Sequence, residues 1–368
     1  MTSPELDAGY MARALRLAQR GLYSTQPNPR VGCVIVRGDS VVGEGFHERA
    51  GEPHAEAIAL RVAGDLAHGA TAYVTLEPCS HHGRTPPCAG ALIAAGIRRV
   101  VIAMQDPNPL VAGRGIARLR AAGITVECGL MQTQAEKLNR GFISRMSRGR
   151  PFVTLKLAAS LDGRTAMASG ESQWISSEAA RADVHRLRAE AGAVLTSSAT
   201  VLADDPALTV RHVDTLRQPD RIVLDPRGRV GAGAKVWNEG ARRILLTAQA
   251  RSAVPAGVEV SRLNGEGSYF SLTAAFAELG RLQINEVLAE CGPTLAGLLL
   301  QAEVVDELVL YLAPCLLGDA ARPLARLPNL ERLSQRLQFE WRDVRAVGPD
   351  LRLTVSRLSA EAGPALAR

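Results

Sequence analysis

No uninterrupted apolar run in this chain approaches the roughly 20 residues that span a bilayer, so a membrane-embedded protein is not expected. The start, Met1-Thr-Ser-Pro-Glu-Leu-Asp7, lacks the basic stretch and apolar core of a secretory signal, and cytoplasmic residence is the default expectation. Aromatic residues make up only 4% of the chain, too few for the stacking platforms that hold single-stranded nucleic acid. There is no Lys/Arg block either. The net charge of +6 is spread along the sequence and suits small phosphorylated ligands as well as it suits nucleic acid. Fixed-period repeats and low-complexity segments are absent. The six cysteines do not space out as a disulfide framework: Cys33, Cys128, Cys291 and Cys315 lie scattered in apolar segments, as reduced core thiols do.

The chain has 368 residues, 46% of them hydrophobic and 22% charged, which predicts a soluble protein of two aliphatic α/β domains. Its most informative string is His54-Ala-Glu56, followed by Pro78-Cys79 and Cys88. One imidazole and two thiolates leave the fourth tetrahedral position of a zinc ion open, whereas structural sites are usually closed by four protein ligands. The metal lowers the pKa of water in that position, and Glu56 is placed to shuttle its proton. An H-x-E string with a later P-C marks zinc nucleobase deaminases. Those usually continue as P-C-x-x-C, but here eight residues separate Cys79 from Cys88. Two free core cysteines beside an unrelated histidine are the plain alternative.

The first half alternates strands and helices. A helix is expected over 10–20, a hairpin over 31–36 and 41–46, and a helix over 54–63. A strand over 72–76, a helix over 88–95 and a strand over 99–103 come next, then a helix over 115–122, a strand over 124–126 and one helix over 133–147. This predicts an α/β/α sandwich in which strand-to-helix loops deliver the metal motif. Pro86 and Pro87 are expected to open the helix that begins at Cys88, where the dipole favours thiolate. Arg145-Met-Ser-Arg-Gly-Arg-Pro151 is the expected boundary, giving domains 1–150 and 151–368.

The second half predicts strands over 151–157, 193–196, 221–224, 243–246, 286–289, 307–312 and 351–356. Helices over 177–191, 271–279 and 295–301 alternate with them. The sheet is expected to be largely parallel, with one or two antiparallel strands near the C-terminus. No G-x-G-x-x-G follows its first strand, which disfavours a Rossmann domain. Lys156 lies inside an apolar strand, where an unpaired ammonium is costly; it either snorkels outward or pairs with a carboxylate, Asp204 or Glu290. Asp162-Gly163-Arg164 reads as a turn.

The string Thr75-Leu-Glu-Pro-Cys-Ser-His-His-Gly-Arg-Thr-Pro-Pro-Cys88 resembles the pyrimidine deaminases of riboflavin biosynthesis, whose inter-cysteine loop is lengthened in this way. Lys156-Leu-Ala-Ala-Ser-Leu-Asp-Gly-Arg164, Gly170-Glu-Ser-Gln-Trp-Ile175, the segment Thr196–Arg211 and Glu290-Cys-Gly-Pro-Thr-Leu-Ala-Gly297 resemble the reductase fused to that deaminase in bacteria. The resemblance covers nearly the whole chain. It implies a cytidine-deaminase-like α/β/α sandwich followed by a dihydrofolate-reductase-like α/β domain. It also implies two successive reactions: zinc-dependent deamination of a diaminopyrimidinone ribosylamino phosphate, then NADPH-dependent reduction of the ribosyl chain to ribityl. The alternative is a nucleoside or nucleic-acid deaminase with an accessory domain.

The roles implied are as follows. Zinc is held by His54, Cys79 and Cys88, and Glu56 moves protons. Asn28, His47, His81, Arg84 and Asn108 contact the deaminase substrate; Asn28 could instead cap an Asx turn and His47 lie in a solvated loop. Lys156 is catalytic for reduction, with Ser172, Arg188, Leu208, Arg211 and Glu290 on that substrate; Arg188 could also be an ordinary solvated arginine. NADPH meets Ala158, Trp174, Thr200 and Asp204, and its diphosphate meets the helix start formed by Gly292, Pro293, Thr294, Leu295, Ala296, Gly297 and Leu298. Cys291 replaces the alanine common in the last motif. The partners implied are phosphorylated pyrimidines and further copies of the chain as a dimer or tetramer, not nucleic acid or membrane.

Overall fold

Ser3 accepts a hydrogen bond from the Leu6 N–H and Pro4 occupies the first helical position, so the first helix starts earlier than its apolar periodicity alone predicts. The computed structural model describes residues 3–80, 87–109, 111–249, 253–265 and 269–358. The chain divides into two units, Met1–Gly149 and Arg150–Arg368. The division falls one residue before the expected boundary. Arg150 makes paired bonds of 2.8 and 2.9 Å to Asp306, which ties it to the second unit.

In the first unit the elements run α1 (Pro4–Gln19), β1 (Gly32–Arg37), β2 (Ser40–Phe46), α2 (Ala55–Ala63), β3 (Thr71–Val74), α3 (Cys88–Ala94), β4 (Arg99–Ile102), α4 (Arg114–Ala121), β5 (Thr125–Cys128), α5 (Gln132–Leu138) and α6 (Arg140–Arg148). The sheet order is β2-β1-β3-β4-β5. β1 is antiparallel to both neighbours, and β3, β4 and β5 are parallel. Met11, Ala14, Leu15 and Ala18 bury one stripe of α1 in the core. The Asp7 carboxylate holds that helix to the sheet through Arg99, at 2.7 and 3.0 Å, and the Tyr73 hydroxyl.

Two features of this unit bear on the site. The helix expected over 133–147 is in fact two, α5 and α6, broken at Asn139. The Asn139 amide accepts from the Arg30 N–H at 2.8 Å and donates to the Arg30 carbonyl at 3.0 Å, a backbone-like pairing that pins the loop carrying Asn28. The second feature is backbone contact between α2 and β2. A Cβ on Gly45 would lie 2.4 Å from the Ala55 carbonyl oxygen and 2.8 Å from the Ala59 nitrogen.

The second unit runs β6 (Phe152–Ser160), β7 (Arg164–Ala166), α7 (Glu178–Glu190), β8 (Ala193–Ser197), α8 (Ser198–Asp204), β9 (Asp220–Leu224), β10 (Arg243–Thr247), β11 (Glu259–Arg262), α9 (Leu272–Arg281), β12 (Glu286–Glu290), α10 (Pro293–Gln301), β13 (Glu307–Ala313), β14 (Arg322–Pro323), β15 (Phe339–Val347) and β16 (Asp350–Arg357). Nine strands form one sheet in the order β11-β10-β9-β8-β12-β6-β13-β16-β15. All pairings from β11 to β13 are parallel; β16 and β15 close one edge antiparallel. The short β7 and β14 pair separately, and neither they nor β11, β15 and α8 were expected from the pattern. β15 escapes notice because Trp341, Val344 and most of its other residues remain exposed, so it carries no hydrophobic alternation. No helix among the described residues is long and apolar enough to cross a membrane.

Gly45→Ala is expected to destabilise the first unit by about 1–3 kcal/mol, because the methyl group must displace helical backbone rather than a side chain. Urea unfolding followed by far-UV circular dichroism should show a lowered midpoint. Tryptophan fluorescence, which reports only the second unit because Trp174, Trp237 and Trp341 all lie there, should keep its midpoint.

Candidate active sites

In the first unit two helix starts face one loop. His54, with φ −72° and ψ 160°, is the last extended residue before α2, and Cys88 is the first residue of α3 after Pro87. Cys79 follows β3 in the loop between them. His54 Nδ1 lies 3.2 Å from Cys88 Sγ and 3.7 Å from Cys79 Sγ, and the Cys88 N–H donates to Cys79 Sγ at 3.3 Å. All three ligand atoms lie within 4.8 Å of one another, a separation that a single tetrahedral ion can bridge. The Cys88 thiol donates to Cys79 and, with His54 and the Cys88 amide, draws Cys79 down to about 4; the same bond pushes Cys88 up. One imidazole and two polarised thiols are the donor set zinc prefers, so the residues present fit that metal.

Glu56 stands in the first turn of α2 and is 4% exposed. Burial pushes its carboxyl up to about 7, against the opposing pull of His54. A carboxyl held there can both take and return a proton near neutral pH.

Asn28 and His47, both expected to reach the substrate, meet each other. His47 Nδ1 lies 3.1 Å from the Pro53 carbonyl, which can only accept, so Nδ1 carries the proton. Nε2 is then the acceptor for the Asn28 amide at 3.0 Å. Burial holds the His47 pKa down. Its ring stands edge-on to His54 with centroids 5.4 Å apart, which brings Asn28 and His47 to the metal group. Asn28 is therefore held by a histidine, not by an Asx turn. Asn108 lies in a separate loop, where its N–H donates to the Asp106 carboxylate at 2.8 Å. His81 and Arg84 lie outside the described residues.

Sequence reasoning gave no role to Glu77. It is 3% exposed and accepts backbone N–H bonds from Asp106, Gly113, Gly115 and Ile116. The available signal was an acidic residue wedged between Leu76 and Pro78 in an otherwise apolar approach to Cys79.

In the second unit strand pairing brings Glu290, not Asp204, nearest to Lys156 in register. β6 and β12 run parallel with Lys156 opposite Glu290. Asp204 instead ends α8 exposed to solvent. Burial lowers the Lys156 pKa, Glu290 opposes that, and Arg188 reinforces it. Both Glu290 oxygens are engaged by Arg188, at 2.5 and 2.9 Å, and Arg188 also donates to the Thr209 carbonyl at 3.0 Å. Burial works against the Glu290 carboxylate, but Arg188 and Lys156 outweigh it and hold the group at about 2. Arg188 is thus a partly buried, oriented residue and not a solvated one. The expected contact of Glu290 with substrate has to contend with this bidentate pairing.

The parallel strands β8, β12 and β6 lie side by side, so their C-terminal ends share one edge of the sheet. Open α/β sheets bind ligands at such an edge. Ser197 ends β8, Thr200 stands in the first turn of α8, and Thr200 Oγ1 accepts the Gly292 N–H at 3.3 Å. Helix α10 begins at Pro293 after Gly292 with no side-chain cap, which leaves its first N–H groups for an anion. Thr294 and Leu298 are exposed, whereas Leu295, Ala296 and Gly297 face the core and can offer a ligand only their backbone. A diphosphate fits this uncapped start. Ala158 lies two residues past Lys156, half-buried.

The remaining expected residues are more dispersed. Leu208 is 4% exposed with its side chain in a core cluster, so a contact with substrate falls to its backbone, held at φ 52°. Arg211 is exposed, and its N–H donates to His185 Nδ1 at 3.0 Å. Burial, together with Arg188, Arg211 and His212, drives the His185 pKa down to about 4. Ser172 is half-buried, and Trp174 is 68% exposed beneath the Arg181 guanidinium, 4.4 Å from the ring centroid. Asp162 is a turn former, as its setting suggested, and accepts from the Leu317 and Gly318 amides.

Both units match known protein families. Residues 4–104 match the cytidine and deoxycytidylate deaminase zinc-binding region, and residues 151–353 match the RibD C-terminal domain. The chain is 56% identical to riboflavin biosynthesis protein RibD of Escherichia coli K12 over 358 residues, 94% of this chain and 98% of that one. It is 48% identical to the Haemophilus influenzae protein of the same name, over 95% of this chain and 96% of that one. Among solved structures, Acinetobacter baumannii RibD aligns with TM-score 0.89 at 46% identity, covering 96% of this chain and 99% of that one. A Thermotoga maritima diaminohydroxyphosphoribosylaminopyrimidine deaminase/5-amino-6-(5-phosphoribosylamino)uracil reductase aligns with TM-score 0.88 at 34% identity, with the same coverage. A reductase match across the second unit disfavours a nucleic-acid deaminase with an accessory domain. The chain belongs to the RibD family of riboflavin biosynthesis, in which a zinc-dependent deaminase and an NADPH-dependent reductase of phosphorylated pyrimidines are joined in one polypeptide.

Proposed function

We propose that His54, Cys79 and Cys88 hold the zinc of the deaminase and that Glu56 carries its protons. The observation that supports this most directly is the convergence of those three ligand atoms beside a buried glutamate. Zinc, when bound, supplies a water of lowered pKa. Glu56 would take a proton from the water that attacks the amino-bearing ring carbon and return one to the nitrogen that leaves as ammonia. Asn28, oriented by His47, and Asn108 hold the pyrimidine and its sugar, while His81 and Arg84 meet the phosphate.

In the second unit NADPH, when bound, supplies the hydride. The N–H groups at the start of α10 hold its diphosphate, with Ala158, Trp174, Thr200 and Asp204 along its length. Lys156 would stand by the sugar carbon that receives the hydride and give a proton or oppose developing negative charge. Arg188, locked by Glu290, and Arg211 face the substrate with Ser172 and the Leu208 backbone. Cytoplasmic residence is supported by six cysteines that are all free. A homo-oligomer, dimer or tetramer, is supported by the exposed Trp341 and Val344 of edge strand β15, and sedimentation of the whole chain tests it.

Glu56→Gln should keep about one zinc per chain yet lose at least about a hundredfold of ammonia release, the lower bound of what a positioned acid-base group contributes. Reduction of separately supplied aminouracil substrate should persist. Activity within tenfold of the parent would remove Glu56 from the proposed role.

Lys156→Ala should do the reverse, lowering NADPH oxidation by about 10²-fold with ammonia release intact. Near-normal reduction would leave Lys156 with a structural role only.

Fragments 1–149 and 150–368 should each keep one activity, deamination with zinc and reduction with NADPH. The second should begin at Arg150, not Pro151, to retain the pairing with Asp306. Two inactive fragments from an active parent would show that each half needs the other.

A further inference from the structure

Glu77 is a buried carboxylate that neither reaction uses. Its partners are backbone N–H groups: Gly115 and Ile116 on Oε1 at 2.9 and 3.1 Å, Asp106 and Gly113 on Oε2 at 3.2 and 3.0 Å. No described residue is ion-paired with it. An anion removed from water without a counter-ion is costly, and here four amide dipoles and the start of α4 provide the compensation. The Glu77 N–H is itself anchored to the Met104 carbonyl at 3.0 Å.

The carboxylate therefore clasps two segments that the sheet alone does not join closely. One is Glu77-Pro-Cys79, whose Cys79 carbonyl accepts the Ala89 N–H in the first turn of α3 at 3.1 Å. The other comprises Asp106 and, at the start of α4, Gly113, Gly115 and Ile116. Within it the Asp106 carboxylate turns the chain by accepting the Asn108 N–H at 2.8 Å. The fit leaves no slack: a Cβ on Gly115 would lie 2.0 Å from the Pro78 carbonyl oxygen and 3.1 Å from Glu77 Oε1.

We propose that Glu77 is a positioning residue of the deaminase, its carboxylate holding Asp106 and the start of α4, and through Asp106 also Asn108, in register with the loop that carries Cys79. The inference rests on the reading of Asn108 as a substrate contact. A glutamine cannot substitute. It offers one acceptor oxygen, and its amide nitrogen would point N–H groups at two N–H donors. One arm of the clasp is lost and its two amides are left unsatisfied, while the zinc ligands keep their own bonds.

The test uses the full-length, zinc-loaded chain, with ammonia release from the diaminopyrimidinone ribosylamino phosphate as readout and zinc measured per chain. Glu77→Gln should raise KM about tenfold with kcat within about threefold and zinc near one per chain. Asn108→Ala should raise KM as well. The double variant should be no worse than Asn108→Ala alone, since two residues acting through one contact are non-additive. Glu77→Asp, which keeps the charge, should fall between the parent and Glu77→Gln. If Glu77→Gln does not fold, Gly115→Ala, which strains the same contact from the other side, should show the same KM rise and the same non-additivity.

Several outcomes overturn the proposal. If Asn108→Ala raises KM and neither clasp variant does, Glu77 has no positioning role. Loss of zinc or an additive double variant would make Glu77 a support of the metal loop or of the fold. If Asn108→Ala leaves KM unchanged, the reading of Asn108 fails first and the role of Glu77 fails with it.

Discussion

Helix α2 lies in backbone contact with β2 because Gly43 and Gly45 carry no Cβ, and the first site depends on that contact. A Cβ on Gly43 would lie 2.3 Å from the Ala59 carbonyl oxygen, as one on Gly45 would crowd Ala55. The helix answers with Ala55, Ala59 and Ala63, all buried. Small residues on both surfaces fix the height of α2 above the sheet. That height sets where His54, its last non-helical residue, meets Cys88 at the start of α3. The absence of side chains elsewhere thus helps to place a ligand triad whose members lie 25 and 34 residues apart in sequence.

Both units put their chemistry where a strand gives way to a helix, and the reason is electrostatic. The first N–H groups of a helix have no intrahelical acceptors and favour negative charge. In the first unit that favours the Glu77 carboxylate at the start of α4; in the second it leaves the first turn of α10 for a diphosphate. The sheets contribute by parallel pairing, which gathers several such starts on one edge. Short loops then suffice to bring residues distant in sequence together.

Much of this was legible from residue types and spacing. The His54, Glu56, Cys79, Cys88 set announces itself because few other arrangements use one imidazole, two thiols and an adjacent carboxylate. The strands of the parallel sheet declare themselves as short runs of Val, Leu and Ile. What could not be read are relations between side chains. That His47 takes its hydrogen bond from Asn28 depends on Pro53 claiming the other ring nitrogen. That Asn139 breaks a helix depends on Arg30, over a hundred residues away in sequence, offering both its N–H and its carbonyl. β15 eluded the pattern because neither of its faces is buried in the chain, so its residues were under no pressure to alternate. Periodicity reports burial, and where burial is missing it reports nothing.

The charge balance around Lys156 carries the argument one step further. Glu290 was the natural neutralising partner for that ammonium, yet its two oxygens are bound in the fork of Arg188. His185, held neutral at ordinary pH by its depressed pKa of about 4, adds no charge. The carboxylate thus binds the guanidinium directly, while Lys156 feels it only through space. Arg188, always protonated, holds its share of Glu290 by bidentate bonding, so the strain of the arrangement falls on Lys156. Desolvation and the neighbouring guanidinium both push its pKa down, which makes it the group most ready to part with a proton. A structural ion pair would be arranged the other way, with each charge matched and each pKa moved toward the ionised form. A buried lysine whose desolvation and neighbouring guanidinium both oppose its charge differs from one held in an ordinary ion pair, and such perturbed groups gather at functional sites.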